Sequence, residues 1–259
     1  MTLYLPEHIR EILGSRQLTR DEIGLSSAGL YLTEDLVLKI GGAKHEADIM
    51  RALKGTLPVP ELLAYEDQDG QSYLLMSRLP GKMLCHEDFL RDPERLTALL
   101  VQALQMLWSV DITQFSLQRM TQKKLSLAQG IVERGECDVE LVDPATFGKG
   151  GFASPADLLD WLISHQPKET LVFSHGDLCL PNLLADEQGI CGFIDLGFCG
   201  LADPWQDISL AYRSLRDNLA GCYGGTVRRD YPAAALFEAL NIPMDEDKLR
   251  WYLLLDELF

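Results

Sequence analysis

The first 77 residues carry short apolar runs broken by turn residues. Pro6 to Leu13 predicts a short helix with Pro in its first turn and Gly14 as its stop. Between Leu18 and Ile40 the pieces "QLTRDEIGL", "GLYLT" and "LVLKI" predict strands, with "SSAG" and "TED" as hairpin turns. In "KHEADIMRALKG" the apolar positions Ala47, Ile49, Met50 and Leu53 fall at helical spacing, and Gly55 closes the helix. "LPVPELLAYED" and "QSYLLMS" predict two further strands joined around Gly70.

"RLPGK" is a break, with Pro80-Gly81 as the joint, and the texture beyond it is helical. "PERLTALLVQALQMLWSV" is apolar on more than one face, as a central buried helix is. "SPADLLDWLISH" opens on Ser154 as N-cap, Pro155 at N1 and Asp157 at N3; Asp203-Pro204 repeats that logic ahead of "WQDISLAYRSLRDNL". "TLVFSH", "NLLAD" and "GFIDL" predict short strands, and "YPAAALFEALN" and "DKLRWYLLLDELF" close the chain. The pattern predicts an α+β protein in two lobes: residues 1–77 a small antiparallel-sheet N-lobe, 78–81 a hinge, and 82–259 a larger helical C-lobe.

A chain of 259 residues is long enough for two such cores. No run of eighteen apolar residues predicts a membrane span, and the N-terminus has no basic-then-apolar leader pattern. The six cysteines form no C-x-x-C pair, which argues against zinc and redox motifs and fits a reducing cytoplasm. The net charge of −16 has two readings: a solvated acidic surface, or an acidic site that draws a cationic substrate. Nucleic acid is not an expected partner, because there is no basic stripe to meet phosphates.

The chemistry concentrates between Phe173 and Gly197. His175-Gly176-Asp177 is followed by Asn182 five residues after the Asp, and by Asp195 thirteen residues after the Asn. Polar groups in so apolar a segment need a reason. Phosphoryl transfer from ATP supplies one: an acid to orient the attacking hydroxyl, hard oxygen ligands for Mg2+, and a cation on the phosphates. H-G-D-x4-N keeps the Asp-to-Asn spacing of a kinase catalytic loop. Asp177 is the candidate catalytic residue, and Asn182 and Asp195 are the candidate metal ligands. Lys39 lies near the end of the strand "LVLKI", and Glu46 on the next predicted helix is its candidate partner.

These blocks, with "ADPWQDISLAYRSLRD", "LPVPELL…LLMS" and the terminal "LLDELF", resemble the aminoglycoside phosphotransferase family, and within it the 3′-phosphotransferases. The resemblance covers nearly the whole chain. It implies a two-lobed protein-kinase-like fold, ATP as donor with GTP as an alternative, Mg2+, a cationic aminoglycoside as acceptor, and antibiotic resistance by modification. By resemblance Asp177 orients the sugar hydroxyl while His175 supports its loop. Lys39, held by Glu46, meets the α- and β-phosphates. Ser26 in "GLSSAG" covers them, and Ser77 and Leu79 fall where the hinge backbone binds adenine. Asp217, Asp256, Glu257 and the terminal carboxylate of Phe259 match the family's drug-binding acids. Pro144 and Phe147 stand at two further positions that are acidic in the family, with Glu140 and Asp143 as substitutes. Phe198 stands where relatives carry Arg, and Val37 where an aromatic ring often stacks on adenine. Two alternatives stay open: a kinase of the same fold for another small hydroxylated amine, and a non-catalytic nucleotide-binding scaffold. The sequence is compatible with a monomer or a weak dimer. A protein kinase is disfavoured, because the stretch from Asp195 to Pro204 leaves no room for an activation segment.

Overall fold

The structure is a computed structural model that describes residues 3–21, 29–114, 119–140 and 142–259. The chain begins with α1 (Glu7–Leu13), β1 (Thr19–Arg20), β2 (Gly29–Leu32), β3 (Leu36–Ile40), α2 (Lys44–Leu53), β4 (Leu62–Gln68), β5 (Gln71–Ser77) and β6 (Lys82–Met83). It continues through α3 (Glu87–Leu90), α4 (Pro93–Trp108), α5 (Met120–Arg134), α6 (Pro144–Phe147), α7 (Pro155–Ser164) and β7 (Val172–Ser174). It ends with β8 (Leu183–Ala185), β9 (Ile190–Phe193), β10 (Gly200–Ala202), α8 (Pro204–Ala220), α9 (Ala235–Leu240) and α10 (Glu246–Asp256). Two compact units result: Met1–Met83 with Asn182–Phe198, and Leu84–Pro181 with Cys199–Phe259.

The first unit is built on an antiparallel sheet of order β1-β2-β3-β5-β4. Side chains alternate across a strand. Leu36 and Leu38 therefore point to one face of β3, where they join Leu5, Ile9 and Leu13 of the α1 segment and Tyr73 and Leu75 of β5 in an apolar core. Lys39, the next position, points to the other face. Gly41 and Gly42 both have positive φ, +112° and +57°, which only glycine adopts cheaply, and they turn the chain sharply from β3 into α2. Ala47, Ile49, Met50 and Leu53 are buried, as their spacing predicts, and Glu46 is buried with them. β4 starts only at Leu62, because Pro58 and Pro60 cannot donate to a ladder.

The sequence division at 78–81 puts Asn182–Phe198 in the second lobe, but backbone pairing ties this segment to the first unit. Lys82 and Met83 pair with Ala185 and Leu184, the β8–β9 hairpin follows, and Phe193 N–H donates to Pro58 O at 2.9 Å. Gly81 is required here: a Cβ would come within 2.5 Å of Cys191 Sγ and 2.9 Å of the Ala185 carbonyl oxygen.

The second unit is helical around a two-stranded sheet, in which β10 pairs antiparallel with β7. Ser154 and Asp203 cap α7 and α8 through side-chain oxygens that accept from Asp157 N–H and Trp205 N–H, each with Pro next in the chain. α4 buries Leu96, Leu100, Leu104 and Leu107 along one face and Thr97, Leu99 and Ala103 beside it, as a central helix does. α5 was not anticipated. Its apolar stripe is thin and carries a buried lysine, Lys124, between Met120, Leu125 and Ala128. "DKLRWYLLLDELF" is helical only to Asp256, so Glu257 is a cap residue rather than part of the helix. No described helix is long and apolar enough to cross a membrane.

Candidate active site

The chemistry-bearing residues divide between the two units. In the first, Lys39 Nζ donates to Glu46 Oε2 and to Asp195 Oδ1, both at 2.8 Å. Glu46 is only 2% exposed and Lys39 16%, so this pair is desolvated, whereas Asp195 is half open at 48%. A buried carboxylate persists only if its oxygens are satisfied. Here Glu46 Oε2 takes the ammonium, and Glu46 Oε1 accepts the backbone N–H of Leu196 at 3.2 Å. Glu46 thus fixes both the lysine and the chain just beyond Asp195. Burial would lower the Lys39 pKa, but Glu46 and then Asp195 outweigh it and hold the ammonium above the ordinary lysine value.

Asp195 adopts φ +58°, a left-handed conformation that Asp tolerates better than most residues, at the entry to a 3-10 turn over Leu196–Phe198. Asn182 is buried, and its carbonyl accepts Ile194 N–H at 3.0 Å. The β8–β9 register, Leu183 opposite Phe193, therefore sets Asn182 and Asp195 at the same end of one hairpin. The hairpin loop is closed by Asp186, whose N–H bonds Gly189 O and whose Oδ1 accepts Gln188 N–H.

Ser77 has little main-chain freedom. Its N–H donates to Glu61 O and its Oγ accepts Glu61 N–H, each at 2.9 Å. Leu79 makes no main-chain hydrogen bond to the main chain of another described residue. Ser26 lies outside the described residues.

In the second unit Asp177 is half-buried just past Gly176, which has φ +82°. The loop is held from α8. Asp207, fully buried, accepts His175 N–H at 3.0 Å and Gly176 N–H at 2.9 Å, and Gln206 Nε2 donates to Gly176 O at 3.2 Å. Ser174 Oγ also accepts Gly176 N–H, at 3.0 Å. Further along, Leu180 N–H donates to Ser214 Oγ, and Asn218 Nδ2 donates to Ser214 O. His175 is fully buried, and its Nδ1 accepts Asp177 N–H at a long 3.4 Å, a supporting position within the loop. Burial pushes the Asp207 carboxyl above the ordinary range, against the pull of His175 and the amide donors. Reading the sequence for motifs does not find this brace. Its signal is a stripe of polar residues on α8, at Asp203, Gln206, Asp207, Ser214 and Asn218, that is buried like the apolar positions around it.

The remaining predicted acids also lie in this unit. Asp256 is engaged by the chain's own cations: Arg213 on Oδ2, and Lys124 at 3.6 Å from Oδ1. Glu257 Oε2 accepts Asp143 N–H at 2.8 Å, and its Oε1 lies 3.6 Å from Arg213. Asp143 also caps α6 through Ala145 N–H. Asp217 pairs with Arg216 at 2.7 Å. Glu140 is exposed, and Phe259 sets its ring 5.6 Å from Lys124 Nζ. The structure therefore gathers Asp256 and Glu257 around Arg213, a cation that the sequence reading passed over, with the Asp143 amide on Glu257.

A strand lysine locked between a helix glutamate and a hairpin aspartate, and a braced H-G-D loop, belong to a phosphotransferase of the two-lobed, kinase-like α+β class. The chain matches the model of the phosphotransferase enzyme family over residues 20–249, and it belongs to that family. An aminoglycoside 3′-phosphotransferase of Niallia circulans is 37% identical, over 98% of this chain and 97% of its own length. One from Enterococcus faecalis is 31% identical over 97% of each. Among solved structures, a type VIII aminoglycoside-3′-phosphotransferase shares the fold with a TM-score of 0.78 at 24% identity, covering 97% of this chain and 98% of that one. An aminoglycoside phosphotransferase of Streptomyces rimosus, solved with ADP and streptomycin, gives 0.78 at 22% identity over 97% and 96%.

Proposed function

We propose that this protein transfers the γ-phosphoryl group of ATP to the 3′-hydroxyl of an aminoglycoside, with antibiotic resistance by modification as the outcome. The observation that carries the reading is Lys39 Nζ, 2.8 Å from both Glu46 and Asp195, in a chain of the phosphotransferase family. The relatives named aminoglycoside 3′-phosphotransferase support the acceptor and the position. The excess of acids, net −16, supports a substrate with several ammonium groups.

In this reading Lys39 holds the α- and β-phosphates, and Glu46 keeps its ammonium extended and charged. Leu79 is the better candidate of the two hinge positions for adenine, since the Ser77 amide is already bonded to Glu61. Ser26 remains a candidate for covering the phosphates. Asp195 and Asn182 would hold Mg2+. They offer hard oxygens, and no group of three or more His, Cys, Asp or Glu is gathered among the described residues, as an all-protein zinc site would require. When bound, the ion neutralises charge on the phosphate oxygens. Asp177 accepts the hydrogen bond of the attacking hydroxyl and aims it, held by the amide and carbonyl contacts of Gly176 to α8. Asp217, Glu257, the Phe259 carboxylate, Glu140 and Asp143 are the candidate contacts for substrate ammonium groups. ATP as donor, and six cysteines that form no disulfide among the described residues, support a cytoplasmic enzyme.

The test is ADP release by purified protein with Mg2+-ATP and kanamycin, neomycin, a 3′-deoxy aminoglycoside or choline. Turnover of the first two and silence with the others is expected. Turnover of choline alone would move the reading to another small hydroxylated amine.

A further inference from the structure

Of the acids that the family resemblance matches to drug binding, Asp256 and Glu257 are not equivalent. Asp256 has a cation on each oxygen: Arg213 from α8, and the buried Lys124 from α5 at 3.6 Å. Glu257 has one amide hydrogen bond, from Asp143 at 2.8 Å to Oε2. Its Oε1 has Arg213 at 3.6 Å, the distance Lys124 keeps from Asp256 Oδ1, so the two carboxylates differ at their other oxygen: a guanidinium donates to Asp256 and a neutral amide to Glu257. The electrostatics agree. Burial pushes both carboxyls up, but at Asp256 Lys124 and then Arg213 more than offset it, whereas at Glu257 the Asp143 amide and Arg213 do not. One carboxylate is hydrogen-bonded by a cation of the chain, and its neighbour only by a neutral amide.

We infer that Arg213 is a specificity-determining residue: its guanidinium is a built-in counter-ion that occupies Asp256, so that of this pair only Glu257 accepts an ammonium group of the substrate. The inference rests on the proposed aminoglycoside acceptor and deepens it. The chain presents one fewer acceptor than its acids suggest, and it discriminates less steeply between amines of different charge than it would without Arg213. Removing the guanidinium would not strand Asp256, because Lys124 still faces it. It would add a second acidic acceptor beside Glu257.

The experiment measures kcat/KM for kanamycin and for neomycin, which carries more amino groups, over a range of NaCl concentrations in the full-length wild type, R213Q, R213K and E257Q. R213Q is expected to lower KM for neomycin relative to kanamycin by about fivefold, the effect of one additional surface ion pair. It should also steepen the fall of kcat/KM with salt. R213K, which keeps the counter-ion, should retain the wild-type ratio and slope. E257Q should flatten the salt slope, and it carries the test if R213Q does not fold. KM values in R213Q that rise alike for both drugs, with the slope unchanged, would make Arg213 a structural clamp and overturn the inference. An unchanged slope in E257Q would overturn it too. No turnover of either drug by the wild type would remove the acceptor reading and this inference together. Turnover with unaltered discrimination in R213Q removes the inference alone.

Discussion

Asp207 offers the sharpest test of how the H-G-D loop is held. It is fully buried and accepts two backbone N–H groups, from His175 at 3.0 Å and Gly176 at 2.9 Å. In Asp207→Ala both N–H groups lose this acceptor, and Gly176 N–H keeps Ser174 Oγ at 3.0 Å. An orphaned buried donor costs about 1–3 kcal/mol, and a lost bond to a charged acceptor about 1.5–3 kcal/mol. Set against this, removing Asp207 also removes its desolvation penalty, the cause of its raised pKa. The net expectation for Asp207→Ala is a loss of about 2–4 kcal/mol. Asp207→Asn keeps the shape but offers one oxygen for two donors, with its NH2 facing the other, so about 1–3 kcal/mol is expected. Urea unfolding should rank wild type above Asn above Ala. Because Gly176 immediately precedes Asp177, kcat should fall in both variants more than KM for ATP rises. Wild-type stability and kcat in Asp207→Ala would refute the brace.

Other expectations follow from the same geometry. Asp177→Ala should lower kcat by about 10²–10⁴-fold, the range for a positioned acid–base group, with circular dichroism unchanged; normal turnover would remove Asp177 from the mechanism. Lys39→Met should raise KM for ATP and destabilise the fold by about 3–5 kcal/mol, because Glu46 is left charged and buried. Adding Glu46→Gln should recover much of that stability but not activity, and a double-mutant cycle with no coupling energy would contradict the pair. The Asp256 carboxyl is held below the ordinary range by Lys124 and then Arg213, against burial. Its stabilisation is therefore present above the unfolded value of about 3.9 and is lost as pH falls through the lower folded value. The stability gap between wild type and Asp256→Asn should be widest near neutral pH and should close in strong acid. A pH-independent gap would count against the ion pairs.

Much of this was legible in the sequence because it is local. The H-G-D-x4-N spacing, the alternation that ends at Lys39, and the Ser154 and Asp203 caps are set by neighbours within one turn or strand. The structure brings Lys39, Glu46 and Asp195 into contact; the sequence offered Glu46 as a candidate partner of Lys39 and gave no sign of the Lys39–Asp195 bond. What was not legible depends on chain partners far away. Asp207 and Gln206 look like ordinary first-turn residues of α8 until β7 and the following loop pack against them. Asp256 looks like a free acid in "LLDELF" until α8 and α5 supply Arg213 and Lys124. α5 itself escaped notice because a buried lysine interrupts its apolar stripe. The β6 strand that pairs with Ala185 and Leu184 of this segment has only two residues, too few to show in a hydropathy pattern, and the other ties, from Pro58, Glu46 and Lys39, come from far along the chain.

The most direct test of the central claim is the structure of the product. Kanamycin incubated with the protein and Mg2+-ATP should give one phosphorylated species, whose phosphorus couples in a proton–phosphorus NMR correlation to the proton on carbon 3′. Coupling to any other position, or no phosphorylated drug at all from folded protein, would contradict the account.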